Sequence, residues 1–193
     1  PWASSLRRHL VQQCRRHAGC EALVEGYFPV GRRAGGEPFD DPSMLQRSDN
    51  MARALELKAR STFCLEPPGF SPPRKSTIDA LLLGCIPVLF YPPSMLAQLL
   101  PFHIAPWRRN ASLNLSPHRL KANPELDVLQ ALEKISDERI HSMQRTIAAH
   151  AHTLVYSSDG EWAGGGAVER VLRTVTAAAQ GRGELPSRWL LGD

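Results

Sequence analysis

An alternation of strand, loop, helix and strand between residues 61 and 90 constrains the fold of this chain more than any other feature. Residues 61–65 form a short apolar segment, and residues 66–73 follow as a loop rich in proline and glycine. Residues 75–83 have helical spacing of apolar side chains, Gly84 ends that helix, and residues 86–90 are a second apolar strand. Two strands joined by a helix form a βαβ unit, so the pattern predicts an α/β fold with parallel strands and a right-handed crossover.

One residue argues against a regular version of this sheet. Pro87 lies inside the second strand, and a proline cannot donate the N–H that a central strand uses.

Helical patterns flank the βαβ unit on both sides. We expect a helix from about residue 6 to residue 20, a second helix with Ser48 as its N-cap, and a last helix over residues 167–179. Asn123-Pro124-Glu125 has the pattern of a helix start, with a cap, a proline at the first position and an acid in the first turn. Ser136 followed by two acids predicts another helix start.

Length and charge narrow the class of protein. The 193 residues, 42% of them hydrophobic, suffice for one core, and we predict one domain over residues 1–180 with a tail at 181–193. No apolar run has membrane-spanning length. The arginine pairs at 7–8, 15–16, 32–33 and 108–109 are expected to be solvated, and no nucleic-acid-binding module is visible. A small positive excess favours an anionic small ligand.

The cysteine pattern leaves two readings open. Cys14, Cys20, Cys64 and Cys85 contain no C-x-x-C pair, so a structural zinc site is not expected. An even count permits disulfides in an oxidising compartment, whereas Cys64 and Cys85 also lie in apolar segments where buried free thiols are common.

The loop before the predicted helix has the composition of an anion-binding site. Ligands of open α/β sheets bind at the carboxyl ends of the strands, where helix N-termini present amides. Gly69 permits close approach of backbone to a phosphate, Ser71 and Ser76 carry hydroxyl donors, and Arg74 with Lys75 can neutralise a diphosphate. Asp79 lies one turn downstream, where a carboxylate can accept hydrogen bonds from ribose hydroxyls. The alternative is a solvated proline-rich turn that leads into an ordinary helix.

These residues also carry a resemblance to a known family. The segments concerned are Phe63-Cys64-Leu65-Glu66-Pro67-Pro68-Gly69, Ser71, Arg74-Lys75-Ser76, Asp79-Ala80 and Gly84-Cys85-Ile86-Pro87-Val88. Together they resemble the signature block of exostosin-like glycosyltransferases, and the double proline and basic pair are most similar to the plant xyloglucan galactosyltransferase branch. Gln13-Cys14, Cys20, Leu100-Pro101-Phe102 and Leu154-Val155-Tyr156 extend the similarity over residues 6–175.

The resemblance implies a Rossmann-like parallel sheet flanked by helices, forming the C-terminal half of a GT-B glycosyltransferase. It places the first strand of this half and the acceptor-binding domain outside the chain, together with any membrane anchor and the general base. It further implies transfer from a UDP-sugar to a glycan or glycoprotein acceptor, with inversion, on the lumenal side of the Golgi membrane. No cofactor and no metal are expected, and the chain lacks an Asp-x-Asp motif. We expect the chain alone to bind a UDP-sugar weakly without transferring it.

The resemblance also assigns roles to individual residues. Asp79 corresponds to the acid that binds ribose, and Arg74, Lys75 and Ser76 would face the diphosphate. Gly69 and Ser71 would shape the loop.

Two positions depart from the family pattern, because Phe70 stands where an acid is usual and Tyr91 stands where the galactosyltransferase branch often has histidine. Phe70, together with the partner domain expected outside the chain, makes an alternative plausible, namely a non-catalytic nucleotide-sugar-binding or scaffold protein that keeps the fold.

Two further side chains have assignments of their own. Glu66 is either an active-site acid or a polar residue at a strand end. Asn110 begins the sequon Asn110-Ala111-Ser112, which a lumenal enzyme could use for N-glycosylation.

Overall fold

A three-stranded parallel sheet is the centre of the chain. The computed structural model describes residues 2–22, 43–68, 74–91, 107–123, 125–156 and 166–182. Strands β1 (Phe63–Glu66), β2 (Ile86–Leu89) and β3 (Leu113–Asn114) lie in the order β1-β2-β3. The predicted α/β class and its parallel pairing are therefore confirmed, whereas β3 was not predicted.

Seven α-helices surround this sheet in the described residues. They are α1 (Trp2–Cys14), α2 (Ser43–Ala59), α3 (Lys75–Leu82), α4 (Pro117–Ala122), α5 (Val128–Glu133), α6 (Asp137–His150) and α7 (Ala167–Ala179). Two 3-10 turns cover Arg108–Asn110 and Ala151–Leu154. None of the described helices combines the length and the apolarity that crossing a membrane requires.

The βαβ unit forms as the sequence predicts. Helix α3 connects β1 to β2, and the register pairs Phe63 with Ile86 through Glu66 with Leu89. Gly84 ends the helix with a φ of 77°, a left-handed conformation that glycine adopts without strain. Strand β1 continues one residue further than expected, so Glu66 is its last residue and not the first residue of the loop.

Pro87 is accommodated in a central strand, contrary to the expectation from its missing N–H. The N–H of Ile86 bonds the carbonyl of Thr62 on the β1 side, so the N of Pro87 faces the β3 side. Strand β3 pairs only with Val88 and Leu89. The missing donor therefore falls just before the β2–β3 ladder begins, where no hydrogen bond is lost.

Helices pack on both faces of the sheet. Val88 and Phe90 contact one cluster that contains Leu6 and Leu10 of α1 and Val128 of α5. Pro87 and Leu89 point the opposite way and, with α3, line a small cavity. The helix-flanked arrangement is compatible with part of a GT-B enzyme, and the complete Rossmann-like fold remains a prediction.

Three predicted helix boundaries were wrong. Helix α1 ends at Cys14 and not near residue 20, and α2 begins at Ser43, so Ser48 is an interior residue and not an N-cap. No proline or glycine lies between residues 43 and 59 to stop the helix earlier.

The third boundary error concerns Asn123-Pro124-Glu125, which does not start a helix. Asn123 is the C-cap of α4, and α5 begins at Val128 with Asp127 as its N-cap. A long-range contact decides the boundary, because Gln13 accepts from the N–H of Val128 at 2.9 Å and donates to the carbonyl of Leu126 at 2.8 Å.

All four cysteines are bridged. Cys14 is bonded to Cys20, and Cys64 is bonded to Cys85. The reading of Cys64 and Cys85 as buried free thiols was therefore wrong. The second bridge joins β1 to the residue that precedes β2, and so fixes the relative position of the two strands that carry the candidate site.

Candidate donor-binding site

The carboxyl ends of β1 and β2 meet the N-terminus of α3 at one corner of the sheet. Strand β1 leads into Pro67 and Pro68, β2 leads to Phe90 and Tyr91, and α3 begins at Lys75. This is the position at which parallel α/β sheets bind ligands.

Arg74 is the N-cap of α3 and connects the helix to the end of β1. Its Nη1 donates to the carbonyl of Pro67 at 2.7 Å, and its side chain does not cap the helix. The first N–H groups of a helix lack intrahelical acceptors and carry the positive end of the helix dipole, so this terminus suits an anion. A guanidinium that makes one carbonyl bond keeps further N–H donors for a ligand.

Lys75 and Asp79 form an ion pair along the exposed face of α3. The Lys75 Nζ lies 2.7 and 2.9 Å from the two carboxylate oxygens of Asp79, and the Lys75 side chain is 73% exposed. Exposed pairs of this spacing contribute only about 0.3–0.5 kcal/mol. The side chain of Asp79 is only 19% exposed, so the Lys75 charge is the more accessible of the two to a ligand.

Ser76 faces the protein interior and not the open corner. Its hydroxyl donates to the carboxylate of Glu66 at 3.0 Å, and the same carboxylate is ion-paired with Lys58. Lys58 also donates to the carbonyl of Ser76 at 3.1 Å. Glu66 is 1% exposed, so it is a buried, paired carboxylate that anchors the first turn of α3. Neither Lys58 nor the anchoring role of Glu66 was predicted, because their partners lie on three different elements.

Arg7 of α1 also reaches this corner. Its Nη2 donates to the carbonyl of Pro68 at 3.0 Å, across 61 residues of sequence. Arg7 is partly buried, so the expectation that the pair at 7–8 is solvated was wrong for Arg7, while Arg8 is exposed. Sequence spacing carries no signal for this contact.

Tyr91 lies buried between these charges. Burial raises the pKa of its phenol above the ordinary value; the charges of Arg74 and Arg7 oppose the shift, and that of Glu66 adds to it. The backbone of Tyr91 is held by Asn114, whose side chain accepts from its N–H at 3.2 Å and donates to its carbonyl at 3.1 Å. The phenol therefore stays protonated at neutral pH, and the backbone of Tyr91 is held at the end of β2.

The comparison with known proteins identifies the family. Residues 2–131 match the Exostosin GT47 domain. The chain belongs to this family.

Similar proteins of the family come from Arabidopsis thaliana. The chain is 30% identical over 154 residues to "Probable xyloglucan galactosyltransferase GT17", which is 80% of this chain and 29% of that protein. It is 30% identical over 158 residues to "Probable xyloglucan galactosyltransferase GT13", or 81% of this chain and 30% of that protein. It is 34% identical over 107 residues to "Xyloglucan-specific galacturonosyltransferase 1", or 55% and 15%. The chain spans less than a third of the length of these relatives. No solved structure matches it.

The remaining positions singled out from the sequence of this GT47 chain are Gly69, Phe70, Ser71 and Asn110. Gly69 and Ser71 lie outside the described residues, as does Phe70. Asn110 is exposed at the end of a 3-10 turn.

A cavity of about 430 Å³ lies along α7, lined by residues such as Glu169 and Leu172, and the candidate donor residues do not line it. In the described part of the chain, no group of three His, Cys, Asp or Glu side chains could hold a metal ion.

Proposed function

We propose that this GT47 chain is the donor-binding region of a glycosyltransferase that transfers a sugar from a UDP-sugar, with inversion, to a glycan acceptor. The observation that carries the proposal is the placement of Arg74, Lys75 and Asp79 on the first turns of α3, at the carboxyl ends of two parallel strands. Lys75 and Asp79 are four residues apart, which is about 6 Å along a helix. That distance suits a ligand whose phosphates bind at the helix start and whose ribose binds one turn later.

The chemistry follows from the charges at this corner. Breaking the bond between the sugar and the diphosphate leaves negative charge on the leaving group, which Arg74, Lys75 and the amides of α3 would stabilise. Asp79 would accept hydrogen bonds from the two ribose hydroxyls and so orient the nucleotide. These residues provide no general base, and a base for the acceptor hydroxyl is proposed to come from another part of the enzyme. The proposed reaction uses no metal or other cofactor.

The acceptor and the compartment are part of the same proposal. The names of the relatives point to xyloglucan as the acceptor class. The two disulfides support an oxidising compartment such as the Golgi lumen, because disulfides are rare in proteins kept in reducing conditions.

Calorimetric titration with UDP and with pyrophosphate tests the binding assignment. Asp79→Asn should weaken UDP about tenfold, because hydrogen bonds to a charged acceptor are lost. It should not weaken pyrophosphate, since releasing Lys75 adds positive charge beside the phosphates. Asp137→Asn, an exposed residue on α6 with the same change of charge, is the matched control.

Absence of UDP binding by the unmodified chain would refute the proposal. Turnover with UDP-sugars, measured on a full-length enzyme that contains this chain, separates a transferase from a non-catalytic protein that only binds the nucleotide.

A further inference from the structure

The charges at the strand ends do not balance among the described residues. Lys58 is paired with Glu66, and Lys75 is paired with Asp79. Arg7 and Arg74 donate instead to the neutral carbonyls of Pro68 and Pro67, and neither forms an ion pair with a described carboxylate. Two guanidinium groups therefore remain at this corner with their charge uncompensated by described side chains.

The two guanidinium groups contact the same short segment, which follows strand β1. They bond adjacent residues, at 3.0 Å for Arg7 and 2.7 Å for Arg74, and both influence the phenol of Tyr91 at the end of β2. They approach from different elements, because Arg7 comes from α1 and Arg74 precedes α3. A ligand that contacts the end of β1 can therefore meet one cation from α1 and one from the start of α3.

Two like charges held at one corner create a positive potential that attracts an anion. In a nucleotide sugar both phosphates are esterified on two sides, so each carries one negative charge, as in nucleic acids, and the diphosphate carries roughly two in all. Guanidinium groups bind phosphate oxygens through two parallel N–H donors, and a single carbonyl bond leaves such donors unused. The excess charge and the unused donors both match the diphosphate of a nucleotide sugar.

We infer that Arg7 is a donor-binding residue that forms, with Arg74, a two-sided clamp on the diphosphate of the nucleotide sugar. The inference rests on the proposed function and adds α1 to the elements that build the site. It also gives a reason for the packing of α1 on the sheet: Leu6 and Leu10 bury one face of the helix, and Arg7, next to Leu6, is carried to the strand ends.

The test compares Arg7→Gln with Arg8→Gln, its exposed neighbour, because both substitutions remove one positive charge from the same turn of α1. UDP and uridine are titrated by chemical-shift changes against each variant. Arg7→Gln should weaken UDP about tenfold, the loss expected for one charge-assisted contact, and leave uridine unchanged. Arg8→Gln should change UDP affinity by less than about twofold, since exposed charges are screened. Arg7→Lys keeps the charge without the forked donors and should fall between the unmodified chain and Arg7→Gln.

Each other outcome has a definite meaning. If Arg7→Gln weakens UDP and uridine equally, Arg7 only holds the loop through Pro68, and the inference is overturned. Equal effects of Arg7→Gln and Arg8→Gln on UDP would also overturn it. If Asp79→Asn weakens UDP while Arg7→Gln does not, the inference fails and the proposed function stands. If the unmodified chain binds no UDP, the proposed function fails as well. Unchanged uridine binding also reports that the variant is folded.

Discussion

Lys58 of α2 and Glu66 of β1 form a buried ion pair next to the first turn of α3. The side chain of Glu66 is 2% exposed and that of Lys58 is 15% exposed. Because Ser76 bonds both partners, the pair connects three elements and sets where α3 begins. The position of Arg74 and Lys75, the proposed phosphate-binding residues, therefore depends on two residues that need not touch the ligand.

Removing one member of this pair should destabilise the fold. Lys58→Met leaves Glu66 buried without its counter-charge, so the free energy of unfolding in urea should fall by about 3 kcal/mol. Arg60→Met, which breaks the exposed pair of Arg60 with Glu21, is the control and should cost less than about 1 kcal/mol. Equal effects of the two substitutions would contradict the anchoring role of the buried pair.

The two disulfides should contribute unequally to stability. The bridge from Cys64 to Cys85 closes a loop of 21 residues and that from Cys14 to Cys20 a loop of 6. Chain entropy then predicts losses of about 3 and about 2 kcal/mol when each pair is replaced by serine. Urea unfolding of the two double variants measures the difference in stability. Thiol titration of the unmodified chain, after unfolding without a reductant, should detect no free thiol. A larger loss for the shorter loop would contradict the entropic account.

The contact between α5 and the turn that follows α1 should depend on pH through His17. His17 lies 2.9 Å from Asp127, and this hydrogen bond is the main cause of its raised pKa; Glu133 at 3.4 Å adds to it. The pKa of Asp127 is lowered, chiefly by the N–H of Gln130 and then by His17.

The pKa shifts of His17 and Asp127 limit, from opposite sides, the pH range in which their contact stabilises the fold. A raised histidine pKa stabilises the fold below the ordinary value of 6.5, and this stability is lost as the pH rises through the folded pKa. A lowered aspartate pKa stabilises the fold above 3.8, and this stability is lost as the pH falls through the folded pKa. The contribution of His17 to the melting temperature should therefore be larger at pH 5.5 than at pH 8.5. His150, whose pKa burial lowers, acts in the opposite direction, so the test compares variants at each pH. His17→Gln should lower the melting temperature more at pH 5.5 than at pH 8.5, and His141→Gln, at an exposed position, should not; the opposite ranking of the two variants would contradict the assignment.

Asn110 should carry an N-linked glycan when the chain is made in a secretory compartment. The residue is exposed, and the hydroxyl of Ser112 in its sequon donates to the carbonyl of Arg108. Asn110→Gln should lower the mass of the secreted protein by one glycan, and the unmodified chain should shift by the same amount after enzymatic deglycosylation. An unchanged mass in both experiments would exclude the assignment.

Local sequence patterns predicted the part of the fold that depends on local chemistry. The run from Phe63 to Phe90 contains its own apolar strands, a helix and a glycine that ends it, and the βαβ unit forms accordingly. The start of α5 could not be found in this way, because Gln13 supplies its decisive hydrogen bonds from 115 residues away. Strand β3 has only two residues, too few for a periodic pattern.

In the candidate site, too, the features set by local sequence were predicted and those set by long-range contacts were not. The placement of Arg74, Lys75 and Asp79 follows from one helix start, so it was accessible from the sequence. The contacts of Arg7 and Lys58 exist only because α1 and α2 pack against the sheet, and the inward direction of Ser76 depends on Glu66. Side chains that reach the site from other elements cannot be predicted from the spacing of residues within the motif.

The central claim is that a uridine nucleotide binds at the N-terminus of α3. Backbone amide shifts of the isotopically labelled chain, recorded during titration with UDP, test this directly. The account predicts that the amides of Lys75, Ser76 and Thr77 shift to saturation together, while those of α6, which carries none of the proposed donor-binding residues, stay unchanged. Shifts confined to α6 or α7, or none at all at millimolar UDP, would contradict it.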